Sequence, residues 1–306
     1  MEILVATEKP FAKAAVDGIR RVVEEAGHTL RLLEKYPSRL ELLEAVATAD
    51  ALIVRSDKVT EEVFKAAPNL KIVVRAGAGY DNIDLKAATA HGVVVENTPG
   101  QNSNAVAELV FGMAVMAARN NYDGTSGTEL KDKAIGIHAF GQVGRNVARI
   151  AKGFGMTVRA LDPYCPEEAM VEAGVEPVTD IRDLYSRNNY VSLHIPATDE
   201  TRRSVGYDLV SLMPKGGVLI NTARKEVVDE EGLMKALRER PDLKYVADVR
   251  PDTADAMEEE FAGRVFFTPK KMGAQTSEAN INAGIAAARQ IVAFFKDGDK
   301  RFQVNK

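Results

Sequence analysis

Short apolar runs alternate with stretches of helical periodicity through the N-terminal part of the chain: EILVAT, AAVDGIRRVVEEAG, ALIVRS, EEVFKAAP, LKIVVRAG, LKAATAHG and VVVENT. Apolar runs with little internal alternation suit strands covered on both faces, and the intervening helices supply the covers. The pattern therefore predicts a parallel sheet flanked by helices, running to about residue 98. A long apolar helix is expected from Asn104 to about Arg119 (AVAELVFGMAVMAAR). The polar, glycine-rich stretch NNYDGTSGTELKDK then marks a crossing between domains. The alternation resumes with AIGIHAF, TVRALD, VSLHIP, GVLINTAR, YVADVR and VFFTP, and a last helix is expected over roughly Ser277 to Phe295. That helix should return to the first domain and make it discontinuous. The expected fold class is α/β, with two doubly wound parallel-sheet domains of Rossmann-like or flavodoxin-like type, 1–98 with 276–306 and 99–275.

Composition narrows the class without naming a function. A length of 306 residues suggests about two domains, and 45% apolar with 27% charged residues is an ordinary globular balance. The formal net charge of −4 offers no basic field for nucleic acid. Cys165 is the single cysteine, so neither an internal disulfide nor a cysteine-rich metal site is expected, and no metal is expected at all. The opening MEILVATEKP reads as a strand and not as a secretory leader. Apolar segments are interrupted well short of ~18 residues, so no membrane span is expected. Together these lead to the expectation of a cytoplasmic protein.

The stretch from Ala134 to Asp162 carries the first chemistry. It reads as strand, tight turn, helix, second strand and acidic residue, the pattern of a dinucleotide site. Gly141 would let the backbone approach a pyrophosphate, Gly144 would let the helix pack on the strand, and the helix N-terminus would present free N–H groups. Asp162 stands where a carboxylate accepts hydrogen bonds from the adenosine ribose, and it would repel a ribose phosphate. NAD is therefore favoured over NADP. The first glycine of the usual G-x-G-x-x-G is replaced by Ala139, a change that costs little only at negative φ.

In open α/β sheets ligands bind beyond the carboxyl ends of strands. Five loops at such ends stand out: Arg55-Ser56, RAGAGYDNID from Arg75, NTPGQNSNA from Asn97, NTARKEVVDE from Asn221 and TPKKMGAQT from Thr268. Arg55, Arg75 and Arg224 supply guanidinium forks, and Gly77 and Gly79 supply exposed backbone N–H groups, a set suited to an anionic substrate.

At these residues the chain resembles the D-isomer-specific 2-hydroxyacid dehydrogenases, and within them the short phosphoglycerate dehydrogenases. The matching blocks are LKIVVRAGAGYDNIDLKAATAHGVVVENTPGQNSNAVAEL, AFGQVGR, LDPY, VSLHIPATDETRRSV, MPKGGVLINTARKEVVDEEGL and VADV, covering most of residues 50 to 250. The resemblance implies hydride transfer between a nicotinamide and C2 of a small anionic 2-hydroxy or 2-oxo acid, in a cleft between the two domains. It implies that Arg224 grips the substrate and polarises its carbonyl. Ala76 and Gly77, with the rest of the Arg75–Gly79 loop, would cradle the carboxylate, while Arg55, Ser56, Asn102 and Ser103 would help hold a phosphate. Asp248 would take the nicotinamide carboxamide. Ala78, Gln142, Val143, His194, Ile195, Pro196, Thr222 and Ala223 match positions that line the cofactor, and homodimerisation through the dinucleotide domains is the family habit.

Two departures matter. The family draws its proton donor from a histidine in TPH-x-G-A, supported by a glutamate in DVF-x-x-EP, whereas this chain reads TPKKMGA and DVRPDTA. Counting from Thr268-Pro269 puts Lys270 at the histidine's place, and counting back from Gly273-Ala274 puts Lys271 there. Thr253 stands for the glutamate. A carboxylate beside an ammonium would raise a pKa already about 10.4, so a lysine catalyst is better served without it. Asp252 and Asp255 flank Thr253, and Lys225 replaces a glycine. The pattern resembles a lysine-type subgroup of short phosphoglycerate dehydrogenases. The expected function is oxidation of D-3-phosphoglycerate to 3-phosphohydroxypyruvate, at the entry to serine biosynthesis, without a C-terminal regulatory domain. A hydroxypyruvate or glyoxylate reductase, and an NAD(H)-sensing protein without turnover, are the alternatives.

Overall fold

The computed structural model describes residues 1–305, which form two compact units. The first comprises Met1–Asn102 and 275–305, and the second Ser103–Ala274. In chain order the elements are β1 (Glu2–Thr7), α1 (Lys13–Glu25), β2 (Thr29–Glu34), α2 (Arg39–Val46), β3 (Ala51–Val54), α3 (Glu61–Ala66), β4 (Ile72–Arg75), α4 (Leu85–Ala90) and β5 (Val94–Asn97). The second unit follows with α5 (Ser103–Ala118), β6 (Ala134–His138), α6 (Gln142–Gly153), β7 (Thr157–Leu161), α7 (Glu167–Glu172), β8 (Glu176–Pro177), α8 (Ile181–Ser186) and β9 (Tyr190–Leu193). It continues through α9 (Tyr207–Val210), β10 (Val218–Asn221), α10 (Glu230–Glu239), β11 (Lys244–Ala247), α11 (Ala254–Glu260) and β12 (Val265–Phe267). The last helix, α12 (Ser277–Asp297), belongs to the first unit.

The first unit's sheet is parallel, in the order β2-β1-β3-β4-β5. Every side chain of β3 is buried, as its unbroken ALIV run requires for a strand covered on both faces. One face packs Ile3, Val5, Ile53 and Val74 against Ile19 of α1 and Ala287 and Ile291 of α12. The other packs Leu4, Leu52 and Val73 against Leu42, Val63 and Ala88 of α2, α3 and α4.

The second unit's sheet, also parallel, has the order β12-β11-β10-β9-β6-β7-β8. Its interior strands β9 and β10 are wholly buried. Helices α5 and α6 cover one face, burying Val110, Phe111, Val147 and Ala148 with Ile135 and Ile220. Helices α8 to α11 cover the other, burying Leu184, Leu209, Leu233 and Met257 with Leu219 and Tyr245. Helix α5 ends where Asn120, Asn121 and Tyr122 turn left-handed (φ 49°, 55° and 60°). Its free C-terminal groups are met by the Lys244 ammonium, which donates to the Ala117 carbonyl at 2.7 Å and to Asn120 Oδ1 at 2.8 Å. Among the described residues no helix is long and apolar enough to cross a membrane.

Candidate active site

In the first unit the loops after β3, β4 and β5 carry the anion-binding candidates. Arg55 and Arg75 are both half-buried, and neither forms an ion pair among the described residues. Arg75 Nε donates to the Arg55 carbonyl at 3.0 Å. Burial, and then the neighbouring Arg55, lower the Arg75 pKa, and burial lowers that of Arg55 against the pull of Asp57. Two half-buried guanidinium groups thus lie together at the ends of β3 and β4, with Asp57 and Asp81 as the nearby opposite charges.

Their donors are spent differently. Arg55 stacks on the Phe11 ring at 5.1 Å and donates to the carbonyls of Lys9 (3.0 Å) and Pro10 (3.1 Å) and to Asn280 Oδ1 (2.7 Å). Arg75 uses Nε as described, and its guanidinium lies directly over Gly77, where a Cβ would fall 1.4 Å from Nη1. Only glycine fits there. The loop is tied down by Thr98 N, which donates to the Gly77 carbonyl (2.9 Å), and by Asn97 Nδ2, which donates to that of Ala78 (2.6 Å). Ala76 is buried, Ser56 and Ala78 are exposed, and Asn102 is half-buried in the turn that ends this unit's first segment.

In the second unit the dinucleotide turn joins β6 to α6. Gly141 is the residue preceding the helix, and a Cβ there would meet no atom within 4 Å, so the backbone faces open space. The N–H groups at the start of α6, from Gln142 and Val143 onward, point that way without intrahelical partners. Gly144 is confined: a Cβ would lie 2.4 Å from the Ala139 carbonyl oxygen. Ala139 itself has φ 84°, a conformation suited to the glycine it replaces. The Asp162 carboxylate accepts from Phe140 N and Tyr164 N, both at 2.8 Å, and so braces the turn from the end of β7. This cradle fits a dinucleotide pyrophosphate. The buried Thr222 hydroxyl at the end of β10 has no hydrogen-bond partner among the described residues.

Both histidines near the turn are neutral. Burial takes His138 down to about 4 and His194 to about 3. His138 packs edge-on against Tyr185 with a hydroxyl contact of 3.3 Å, and His194 Nε2 meets Ser192 Oγ at 2.9 Å. Ile195 is buried and Pro196 exposed beyond them.

The two lysines part company. Both are exposed, and the Lys270 backbone carbonyl lies within 2.8 Å of Thr268 Oγ1. Lys271 Nζ donates to the Ala223 carbonyl at 3.0 Å, and Arg224 Nη1 donates to the same oxygen at 2.9 Å. Ammonium and guanidinium therefore meet on one atom, beyond the end of β10. Asn221 shapes that turn, accepting from Ala223 N (2.9 Å) and donating to the Arg224 carbonyl (2.9 Å).

Buried Asp248 accepts from Met272 N (2.6 Å) and Gly273 N (2.8 Å), in the lysine loop. At the glutamate's place, Thr253 Oγ1 donates to Glu230 at 2.6 Å. Asp252 pairs with Lys225, and exposed Asp255 pairs with Arg250. Lys225 opens a short 3-10 turn, Lys225–Val227, so the loop after Arg224 needs no glycine. Glu230 and Asn280 are absent from the residues singled out in the sequence, and Asn221 and Thr268 enter there only as the starts of loops. Their side chains work through other residues, and only three-dimensional contact reveals that.

Residues 105–269 match the model of the D-isomer specific 2-hydroxyacid dehydrogenase NAD binding domain. The chain belongs to that family, and its second unit carries the family's NAD-binding domain. It is 39% identical to a D-3-phosphoglycerate dehydrogenase of Methanocaldococcus jannaschii, over 82% of this chain and 51% of the relative. This chain thus spans about half the length of that relative. It is 33% identical to a glyoxylate reductase of Thermococcus litoralis, over 94% of this chain and 96% of the relative. Among solved structures, NAD+-bound 3-phosphoglycerate dehydrogenase of Entamoeba histolytica superposes with a TM-score of 0.86 at 49% identity, covering 100% of this chain and 99% of the other.

Proposed function

We propose that this chain is an NAD-dependent D-2-hydroxyacid dehydrogenase, acting on D-3-phosphoglycerate to give 3-phosphohydroxypyruvate. The observation that carries the chemistry is the meeting of Lys271 and Arg224 at the Ala223 carbonyl. Bound NAD supplies the hydride acceptor for C2. As the free amine, Lys271 takes the proton from the C2 hydroxyl, and in the reverse direction its ammonium returns that proton to the carbonyl oxygen. Arg224 stabilises the negative charge that builds on the same oxygen. The paired guanidinium groups of the first unit, Arg55 and Arg75, fit the additional charge of a phosphorylated acid. The 49% identity to the Entamoeba enzyme supports this choice of substrate.

A reductase of glyoxylate or hydroxypyruvate is the second reading. The Thermococcus glyoxylate reductase favours it, because the likeness extends over 96% of that protein's length. The assay is NADH oxidation with 3-phosphohydroxypyruvate, beside hydroxypyruvate and glyoxylate. The expected outcome is turnover that depends on the phosphate; equal turnover of the smaller acids selects the second reading. NADH binding without turnover makes the protein a cofactor-sensing one. Lys271→Ala is expected to lower kcat roughly 10²–10⁴-fold, the usual share of a positioned acid-base group, while Lys270→Ala keeps near-native rates. The proposal extends to a cytoplasmic homodimer joined through the dinucleotide units, the partly exposed Leu109 and Met116 of α5 supplying apolar surface.

A further inference from the structure

We propose that Asp248 is a positioning residue for the acid-base lysine: through the backbone it fixes the loop that delivers Lys271 to the Ala223 carbonyl. The inference rests on the reading of Lys271 as the proton carrier. Asp248 follows β11, is fully buried, and forms no ion pair among the described residues. A buried carboxylate in that state persists only if donors surround it. Here they come from the lysine loop and its base. Oδ1 accepts from Met272 N at 2.6 Å and lies 3.1 Å from Thr268 Oγ1, while Oδ2 accepts from Gly273 N at 2.8 Å. Thr268 Oγ1 also reaches the Lys270 carbonyl at 2.8 Å.

The Met272 N–H after Lys271 is thus held by Asp248, and the Lys270 carbonyl before it is one of three acceptors, with the Asp248 carbonyl and carboxylate, that share the single Thr268 hydroxyl hydrogen. The Lys271 side chain is long and flexible, and a backbone held in this way narrows where its ammonium goes. The arrangement also accounts for the extra residue in TPKKMGA. Both lysines are exposed, but Lys271 Nζ reaches the Ala223 carbonyl, whereas the contact of Lys270 is that of its backbone carbonyl with Thr268 Oγ1.

The test compares Asp248→Asn with Lys271→Ala in the full-length protein, measuring NADH-dependent reduction of 3-phosphohydroxypyruvate, NADH affinity by fluorescence, and amide exchange. Asparagine keeps the size but turns a donor toward one loop N–H. The expected result is a loss of kcat on the order of ten- to hundred-fold, as for a small misplacement of a reacting group. KM stays near native, any loss of NADH affinity is smaller than the loss of kcat, and the pH profile of kcat collapses onto that of Lys271→Ala. The double variant is no slower than Lys271→Ala, and exchange at Met272 and Gly273 accelerates. Gly273→Ala is the second variant. Its Cβ would sit 2.9 Å from Asp248 Oδ2 and 3.1 Å from Val106 Cγ2, so the loop must shift and kcat should fall in the same way. It decides the matter if Asp248→Asn does not fold.

A native kcat and pH profile in Asp248→Asn, with Lys271→Ala inactive, overturns the positioning role and leaves the lysine reading standing. Loss of NADH affinity at unchanged kcat overturns it too, and makes Asp248 a cofactor ligand alone. If Lys271→Ala itself turns over normally, the lysine reading fails and this inference with it.

Discussion

Ala139 shows how far a single residue resists reading from sequence. The turn A-x-G-x-x-G is tolerable at low cost only with a negative φ at its first position, and the structure has φ 84° there. A left-handed alanine costs roughly 1–2 kcal/mol, partly offset because glycine is freer in the unfolded chain. Ala139→Gly should therefore stabilise the protein by roughly 0.5–1 kcal/mol, read as a higher denaturant midpoint; no gain would place the strain elsewhere. Gly144→Ala runs the other way. Its Cβ would meet the Ala139 carbonyl oxygen at 2.4 Å, an overpacking expected to cost about 1–3 kcal/mol and to weaken NADH binding by moving the start of α6. The lysine choice was illegible for a related reason: two lysines and one inserted position fit both countings. Only the contact at the Ala223 carbonyl separates them.

At the scale of elements, the apolar runs announced the buried strands β1, β3, β4 and β5 because both faces of the sheet are covered. Strand β2 escaped notice. It lies at the sheet edge, and its TLRLLE sequence mixes exposed and half-buried positions, so no continuous apolar run marks it. The other edge of that sheet, β5, carries an unread feature in buried Glu96. The C-terminal segment lies along this strand, with Val304 N donating to the Val95 carbonyl at 2.9 Å and Asn305 Oδ1 accepting from Val95 N at 2.7 Å. Burial and then Asp299 push the Glu96 carboxyl from 4.5 to about 7, against a backbone donor at Phe302 and the charge of Arg301. Between those two values the folded chain holds a proton that the unfolded chain has released. Stability from this residue is thus fully present below about pH 4.5 and is lost as pH rises through about 7. Glu96→Gln should flatten that decline and stabilise the protein at pH 8 by about 1–3 kcal/mol, measured by urea denaturation at several pH values. Parallel pH dependences for the two proteins would remove Glu96 as the source.

For the whole molecule, the sequence announced two parallel α/β sheets through its βα alternation, but not the strand orders, which depend on pairings far apart in the chain. Cofactor choice is the property that two separately packed units make testable. The pyrophosphate cradle, the brace at Asp162 and the Thr222 hydroxyl all lie in the Ser103–Ala274 unit. Ligand present at about a hundred times its Kd stabilises the state that binds it by about 2.7 kcal/mol. For a unit of this size that corresponds to a melting point higher by roughly 5–10 °C. The shift is expected with NADH and expected to vanish in Gly144→Ala. NADPH should produce little of it, because its extra phosphate meets the Asp162 carboxylate, whose oxygens already accept from Phe140 N and Tyr164 N and so cannot easily swing away. Asp162→Ser, which removes the repelling charge, should narrow the gap between the two cofactors. Equal shifts with NADH and NADPH in the native protein would show that Asp162 does not select the cofactor.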